Sequence, residues 1–182
     1  MNIKDNKKSK QSINKIKNSI CKMLKSVNHN QLTIKEICLD AGINRTTFYA
    51  HFDSIESALY QICEEYITKA YKIFLNTQIP YKDRLKRSID IIYERKDFFG
   101  YVFNNVHDLE MKIFTMVENC FLDENYLGGG EQAKLSLAFI ISGFIGVGKI
   151  YFNSKFSHMT TQQFADILCS TINFTNPYFM IK

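Results

Sequence analysis

Arg45, Thr46, Thr47, Tyr49 and His51 fall within one seven-residue window of the stretch "GINRTTFYAHFDS". An arginine fork can donate two bonds to a guanine, a threonine methyl can meet a thymine methyl, and tyrosine and histidine can donate to phosphates at a groove edge. Phe48 and Phe52 are interleaved with them, four apart, the spacing that places two rings on one side of a helix. Rings inward and donors outward suit a surface that lies against a polyanion. The bland alternative is aromatic filling of a small helical core, with Tyr49 and His51 satisfied at its edge.

The flanking residues decide how that window is held. Thr33 is a good N-cap and Glu36 stands three residues later, so "TIKE" reads as a capping box opening a short helix with Ile34, Ile37, Cys38 and Ala41 inward. Gly42 ends that helix in a left-handed or tight turn, and Asn44 is placed to cap a second one of about seven residues. Helix, corner at Gly42-Ile43, helix is the length pattern of a helix-turn-helix. Upstream, Ile13, Ile16, Ile20, Met23, Leu24 and Val27 recur at helical steps, with Lys15, Lys17, Lys22 and Lys25 mostly opposite. Residues 1–11 read as a polar, flexible arm. Downstream, Asp53 or Ser54 caps a helix that keeps its apolar period from Ile55 to Phe74 and is broken by Ile79-Pro80. Helix N-termini at Thr33 and Asp53 would offer backbone N–H groups to phosphates.

These residues carry a resemblance. "LTIKEICLDAGINRTTFYAHFDSIESAL" resembles the DNA-binding region of the TetR/AcrR family of bacterial transcriptional regulators over roughly residues 12 to 60, with the family's core as Ala41, Gly42, Ile43, Phe48, Tyr49, His51 and Phe52. The resemblance implies DNA contacts from Thr33, Arg45, Thr46, Thr47, Tyr49 and His51, and we place Asn44 with them. Three residues after Phe52 the family usually carries a phosphate-pairing lysine; here the position is Ile55, which weakens that contact. The form with a branched apolar residue there is similar to a short subgroup that includes the dihydroxyacetone-kinase regulators.

Charge agrees with a divided chain. Residues 1–53 hold ten Lys or Arg against four acids, whereas residues 54–182 hold thirteen against fourteen, so the first part carries +6 and the remainder −1. A basic first third joined to a near-neutral remainder points to an anionic partner for that third only, either nucleic acid or an anionic membrane. The 182 residues, 46% hydrophobic with two prolines and eight glycines, favour an all-α fold. We divide it into a DNA-binding domain over residues 1–54 and a helical effector-binding and dimerisation domain over 55–182. Five scattered cysteines without C-x-x-C spacing read as small core residues in a reducing cytoplasm, and the lysine-rich start lacks the apolar run of a secretory signal.

In the second part, "GGG" at 128–130 reads as a joint before "KLSLAFIISGFIGVGKIYF", and "TTQQFADILCSTI" as a last helix with a T-x-x-Q cap. By resemblance these two helices form a homodimer bundle, with Ile140, Gly143, Phe144, Val147, Phe164 and Leu168 as contacts. Three glycines in one helix each cost about 1 kcal/mol relative to alanine, which close approach of another helix would offset. Gly143-x-x-x-x-Gly148-Lys149 imitates a phosphate-binding loop, but Ile150 stands where Ser or Thr must bind magnesium. The uncharged run from Leu135 to Gly148 is too short to cross a bilayer. For a small apolar or aromatic effector the candidates are Tyr66, Tyr93, Tyr101, His107 and Tyr151, each equally readable as an ordinary core aromatic or surface histidine.

The expectation is therefore a sequence-specific, double-stranded-DNA-binding regulator, acting as a homodimeric, ligand-responsive repressor on a palindromic operator. It is expected to need no cofactor or metal and to work in the cytoplasm. Other readings are a co-activator governed by a protein partner, a cytosolic small-molecule enzyme, and a membrane-surface adaptor using the first helix. No metal-ligand spacing, no inward carboxylate pair and no nucleophile with a base supports the enzyme.

Overall fold

The computed structural model describes residues 3–106, 111–116, 119, 131–152 and 158–175. All regular elements among them are helical: α1 (Ile3–Met23), α2 (Ile34–Ala41), α3 (Arg45–Tyr49), α4 (Ile55–Phe74), α5 (Tyr81–Tyr93), α6 (Lys96–Asn105), α7 (residues 111–116), α8 (Glu131–Phe152) and α9 (Thr161–Thr175). The all-α expectation holds. The chain divides into two compact units, Met1–Glu64 and Glu65–Lys182. The first half of α4 thus counts with the N-terminal unit, past the division read from the sequence at 54.

In the first unit α1 packs on α2 and α3, and α2 on α3. Ile16, Ile20, Ile37, Phe48, Ala58 and Leu59 are completely buried there. Burial of such side chains contributes about 1.5–3 kcal/mol each. Ser19, buried on α1, donates its hydroxyl to the Ile37 carbonyl at 3.3 Å, and Lys22 pairs with Asp40 across the same two helices. The flexible arm expected at the start is corrected: α1 is helical from Ile3, because the lysine-rich segment contains no helix breaker and runs straight into the amphipathic stretch.

The capping box at α2 is present in both directions, with Glu36 N donating to Thr33 Oγ1 at 3.2 Å and Thr33 N donating to Glu36 Oε2 at 3.2 Å. Gly42 takes φ 64°, and the Ile43 amide then closes the helix by donating to the Cys38 carbonyl at 3.0 Å. A Cβ at Gly42 would meet nothing within 4 Å, so the glycine is needed for its backbone angle and not for space. Helix α3 is five residues long, shorter than the seven expected. Asn44 stands at its N-cap, but its side chain makes no capping hydrogen bond; the carbonyl of Asn44 alone serves the turn, accepting from Thr47 and Phe48. Ser54, not Asp53, caps α4 through reciprocal bonds with Ser57.

In the second unit α5 packs on α9 and α6 on α8. Pro80 opens α5 and, as expected, separates it from α4. A core of Leu85, Ile89, Tyr151, Phe164, Ala165 and Leu168 joins α5, α8 and α9. At Gly100 on α6, an added Cβ would stand 2.7 Å from the Phe152 carbonyl oxygen, so only glycine allows α6 to approach the end of α8. The T-x-x-Q cap of α9 is realised by Thr160 and Gln163. Residues 143–149 lie inside α8, which removes the loop that a phosphate-binding reading would require.

Replacing Phe48 by alanine should cost about 3–5 kcal/mol of stability, and by leucine clearly less. Urea unfolding of the full chain, followed by circular dichroism, checks this; a Phe48→Ala loss below about 1 kcal/mol would contradict the anchoring role.

Candidate nucleic-acid interface

The orientation of α3 follows from Phe48. Its ring is fully buried, lies 5.7 Å from the ring of Phe52, itself 2% exposed, and 5.7 Å edge-on from Tyr49. With Phe48 fixed inward, helical geometry turns Thr46 to the far side and Tyr49 about a quarter turn away; Arg45, one turn before Phe48 at the first position of the helix, is exposed like Thr46, and Tyr49 is 56% exposed. Asn44 is exposed as well, whereas Thr47 and His51 are half-buried. Among the described residues no carboxylate pairs with the exposed Arg45. Its charge is felt at Cys38, where burial pushes the thiol up and the arginine partly opposes that rise.

Thr33 is exposed at the start of α2, but Glu36 already takes its donors: the hydroxyl donates to Glu36 Oε2 at 2.6 Å and the amide donates to the same oxygen. A phosphate there must displace that carboxylate. At the start of α4, Asp53 and Glu56 are exposed and Ile55 is half-buried, so no cation stands where the family's lysine would. Lys7, Lys8, Lys10, Lys15 and Lys35 are exposed in the same unit. Lys22 is partly neutralised by Asp40, whose carboxyl is held below the usual range first by the Lys22 hydrogen bond.

A second feature lies wholly in the C-terminal unit, a cavity of about 220 Å³. The second half of α4 contributes Ile67, Ala70, Tyr71 and Phe74, and α5, α6, α7, α8 and α9 close the rest. Of the effector candidates read from the sequence, the four described ones, Tyr66, Tyr93, Tyr101 and Tyr151, are not among its lining residues. Tyr66 is buried with its hydroxyl accepting from Arg95 Nε at 2.9 Å. Tyr93 packs on Tyr151 and Phe152, and Tyr101 is half-buried on α6. Tyr151 donates to the Met159 carbonyl at 3.2 Å and stacks on Phe164 at 4.0 Å; burial, then Tyr93 and Asp90, push its phenol up to about 12. His107 lies outside the described residues. The described lining of the cavity is nearly all carbon.

The residues expected at a self-interface separate into two groups. Phe164 and Leu168 are buried, and with the half-buried Phe144 they line the cavity. Gly143 and Val147 are exposed, and the side chain of Ile140 lies outside the described ones. The outward apolar positions that the sequence reading missed are Leu135, Phe139 and Ile150 on α8 and Ile167 on α9, between 46% and 73% exposed. Their three- and four-residue steps along α8 held that signal. No described helix is long and apolar enough to cross a membrane.

No protein-family model and no curated protein matches the chain. Solved structures do. The chain is similar to the dihydroxyacetone kinase operon activator DhaS at 14% identity and a TM-score of 0.65, covering 90% of this chain and 94% of that one. It is similar to a TetR transcriptional regulator from Streptococcus agalactiae 2603V at 15% identity and 0.64, covering 92% and 97%. A TetR-family regulator from Streptomyces coelicolor matches at 15% and 0.59, covering 86% and 78%. The chain therefore has the TetR-like all-α fold.

If the Thr33–Glu36 box fixes the start of α2, Thr33→Ala should cost about 1 kcal/mol while Thr33→Ser keeps most of it. Thermal unfolding of the three proteins side by side tests this, and equal losses for both variants would refute it.

Proposed function

We propose that the chain is a DNA-binding transcriptional regulator that acts as a homodimer, with α3 entering the major groove. The carrying observation is the pairing of a fully buried Phe48 with an exposed, carboxylate-free Arg45 on a five-residue helix behind a Gly42 corner. Arg45 and Tyr49 have the exposure a groove demands, with Thr46 beside them. The exposed lysines of α1 supply sequence-independent attraction to phosphates. Thr33, Asn44, Thr47 and His51 stand at the margin of this contact as phosphate donors, Thr33 only after release from Glu36. The likeness in fold to regulators of TetR type supports the same reading.

For the dimer, the reading rests on the outward stripe of α8. Leu135, Phe139, Val147 and Ile150 are exposed, and Gly143 and Gly146 meet no neighbour within 4 Å of a built Cβ. An apolar stripe of that kind is what a second copy covers. A two-fold dimer places two identical α3 helices on an inverted repeat. The cavity is the proposed effector site, and its ligand would favour one position of α4 over another and so weaken DNA binding, which makes repression the default sign. An activator is the second reading, because one structural neighbour is named as an operon activator.

On a duplex that the wild type prefers over random sequence, Arg45→Ala should lose about 1–3 kcal/mol and most of the preference. Affinity should fall linearly with the logarithm of salt concentration. Equal binding by wild type and Arg45→Ala in a fluorescence-anisotropy titration would remove Arg45 from the interface. Leu135→Arg with Phe139→Arg should convert a dimer to a monomer in sedimentation velocity and weaken duplex binding; a dimer that persists places the interface elsewhere.

A further inference from the structure

The chemistry of the cavity wall is narrow enough to select a ligand class. Of the described lining residues eight are aromatic, and only Tyr71, Tyr81 and Ser88 carry a polar side-chain atom. The proton of Ser88 is committed to backbone, its hydroxyl donating towards the Ala70 carbonyl at 2.8 Å and the Arg84 carbonyl at 2.9 Å. No acid and no base lines the space among these residues. A ligand that carried a charge into it would lose its hydration with no counter-charge among the described lining residues to replace it.

Among the described residues, the one buried charge nearby stands behind the wall. Arg84 is 4% exposed, lies outside the lining, and donates through Nη1 to the Phe74 carbonyl at 2.9 Å at the end of α4. Its guanidinium carbon sits 5.9 Å from the Phe74 ring and 5.7 Å from the Tyr81 ring, and both rings line the cavity. Among the described residues no carboxylate neutralises it. A fixed positive charge behind two lining rings opposes a cationic ligand in particular, since the rings' negative faces are already engaged.

We propose that this cavity takes an uncharged, largely hydrocarbon ligand, and that it discriminates against cations more strongly than against anions. The proposal rests on the reading of the cavity as an effector site. Its size, about 220 Å³, is on the scale of a small molecule. Aromatic rings such as Phe103 and Phe152, stacked at 6.2 Å, offer flat apolar faces to it.

The test uses the full chain and a neutral fluorescent probe, N-phenyl-1-naphthylamine, displaced by a matched series of 1-octanol, octanoate and octylammonium. Saturable binding of one probe per chain is expected, with 1-octanol displacing it at a concentration about tenfold or more below octanoate, and octylammonium weakest. Ala70→Leu and Ile145→Phe, which fill the space from α4 and α8, should each lose probe binding while keeping their circular dichroism. Octanoate or octylammonium displacing as well as 1-octanol would overturn the ligand class and leave the site standing. Probe binding unchanged in folded filled variants, or no saturable binding at all, would overturn the site as well. Duplex affinity, measured separately, reports on the DNA reading alone.

Discussion

The arrangement of the N-terminal unit depends on the burial of one ring. A five-residue helix has almost no stability of its own, since nucleating the first turn costs more than its few hydrogen bonds return. Helix α3 exists because Phe48 is completely enclosed, with Phe52 one turn later doing the same at the helix exit. Gly42 sets the angle at which the chain arrives, because only its left-handed backbone lets α2 stop and α3 begin three residues later. Once Phe48 is inside, the outward placing of Thr46 and Tyr49 follows from the helical repeat, and Arg45 is exposed at the first position of the helix.

The C-terminal unit is built on a different compromise. Aromatic rings from α4, α5, α6, α8 and α9 surround a space that they do not fill, although side chains in protein interiors ordinarily leave few voids. Polar ties hold its rim: Lys82 pairs with Asp166 between α5 and α9 at 2.9 Å, lowering the Asp166 pKa, and Arg84 closes the end of α4. Gly100 lets α6 sit against the last turn of α8. The polar ties therefore sit at helix ends and corners, and the apolar interior keeps the room.

Much of the first unit was legible in the sequence because its signals are local. Thr33 with Glu36, Gly42, and the four-residue step from Phe48 to Phe52 each need only neighbours along the chain to be read, as does the Thr160–Gln163 cap in the second unit. What was not legible depends on contacts distant in sequence. Asn44 has the right type for a cap, yet its side chain is not used. Tyr66 and Tyr151 have the right type for a ligand site, yet their hydroxyls are spent on Arg95 and on the Met159 carbonyl. Phe164 and Ile167 are both apolar on α9, and only the packing of α5 decides that the first faces in and the second out. The lining of the cavity was missed for the same reason: apolar residues carry no label that separates a wall from a core.

The central claim is that the outward face of α3 reads base sequence, twice, on one duplex. Selection of bound duplexes from a randomised pool by the full-length protein, followed by sequencing, tests it most directly. Enrichment of an inverted repeat with two half-sites about one helical turn apart is the predicted outcome. A pool that retains no consensus after repeated rounds at moderate salt, or a consensus without two-fold symmetry, would contradict it.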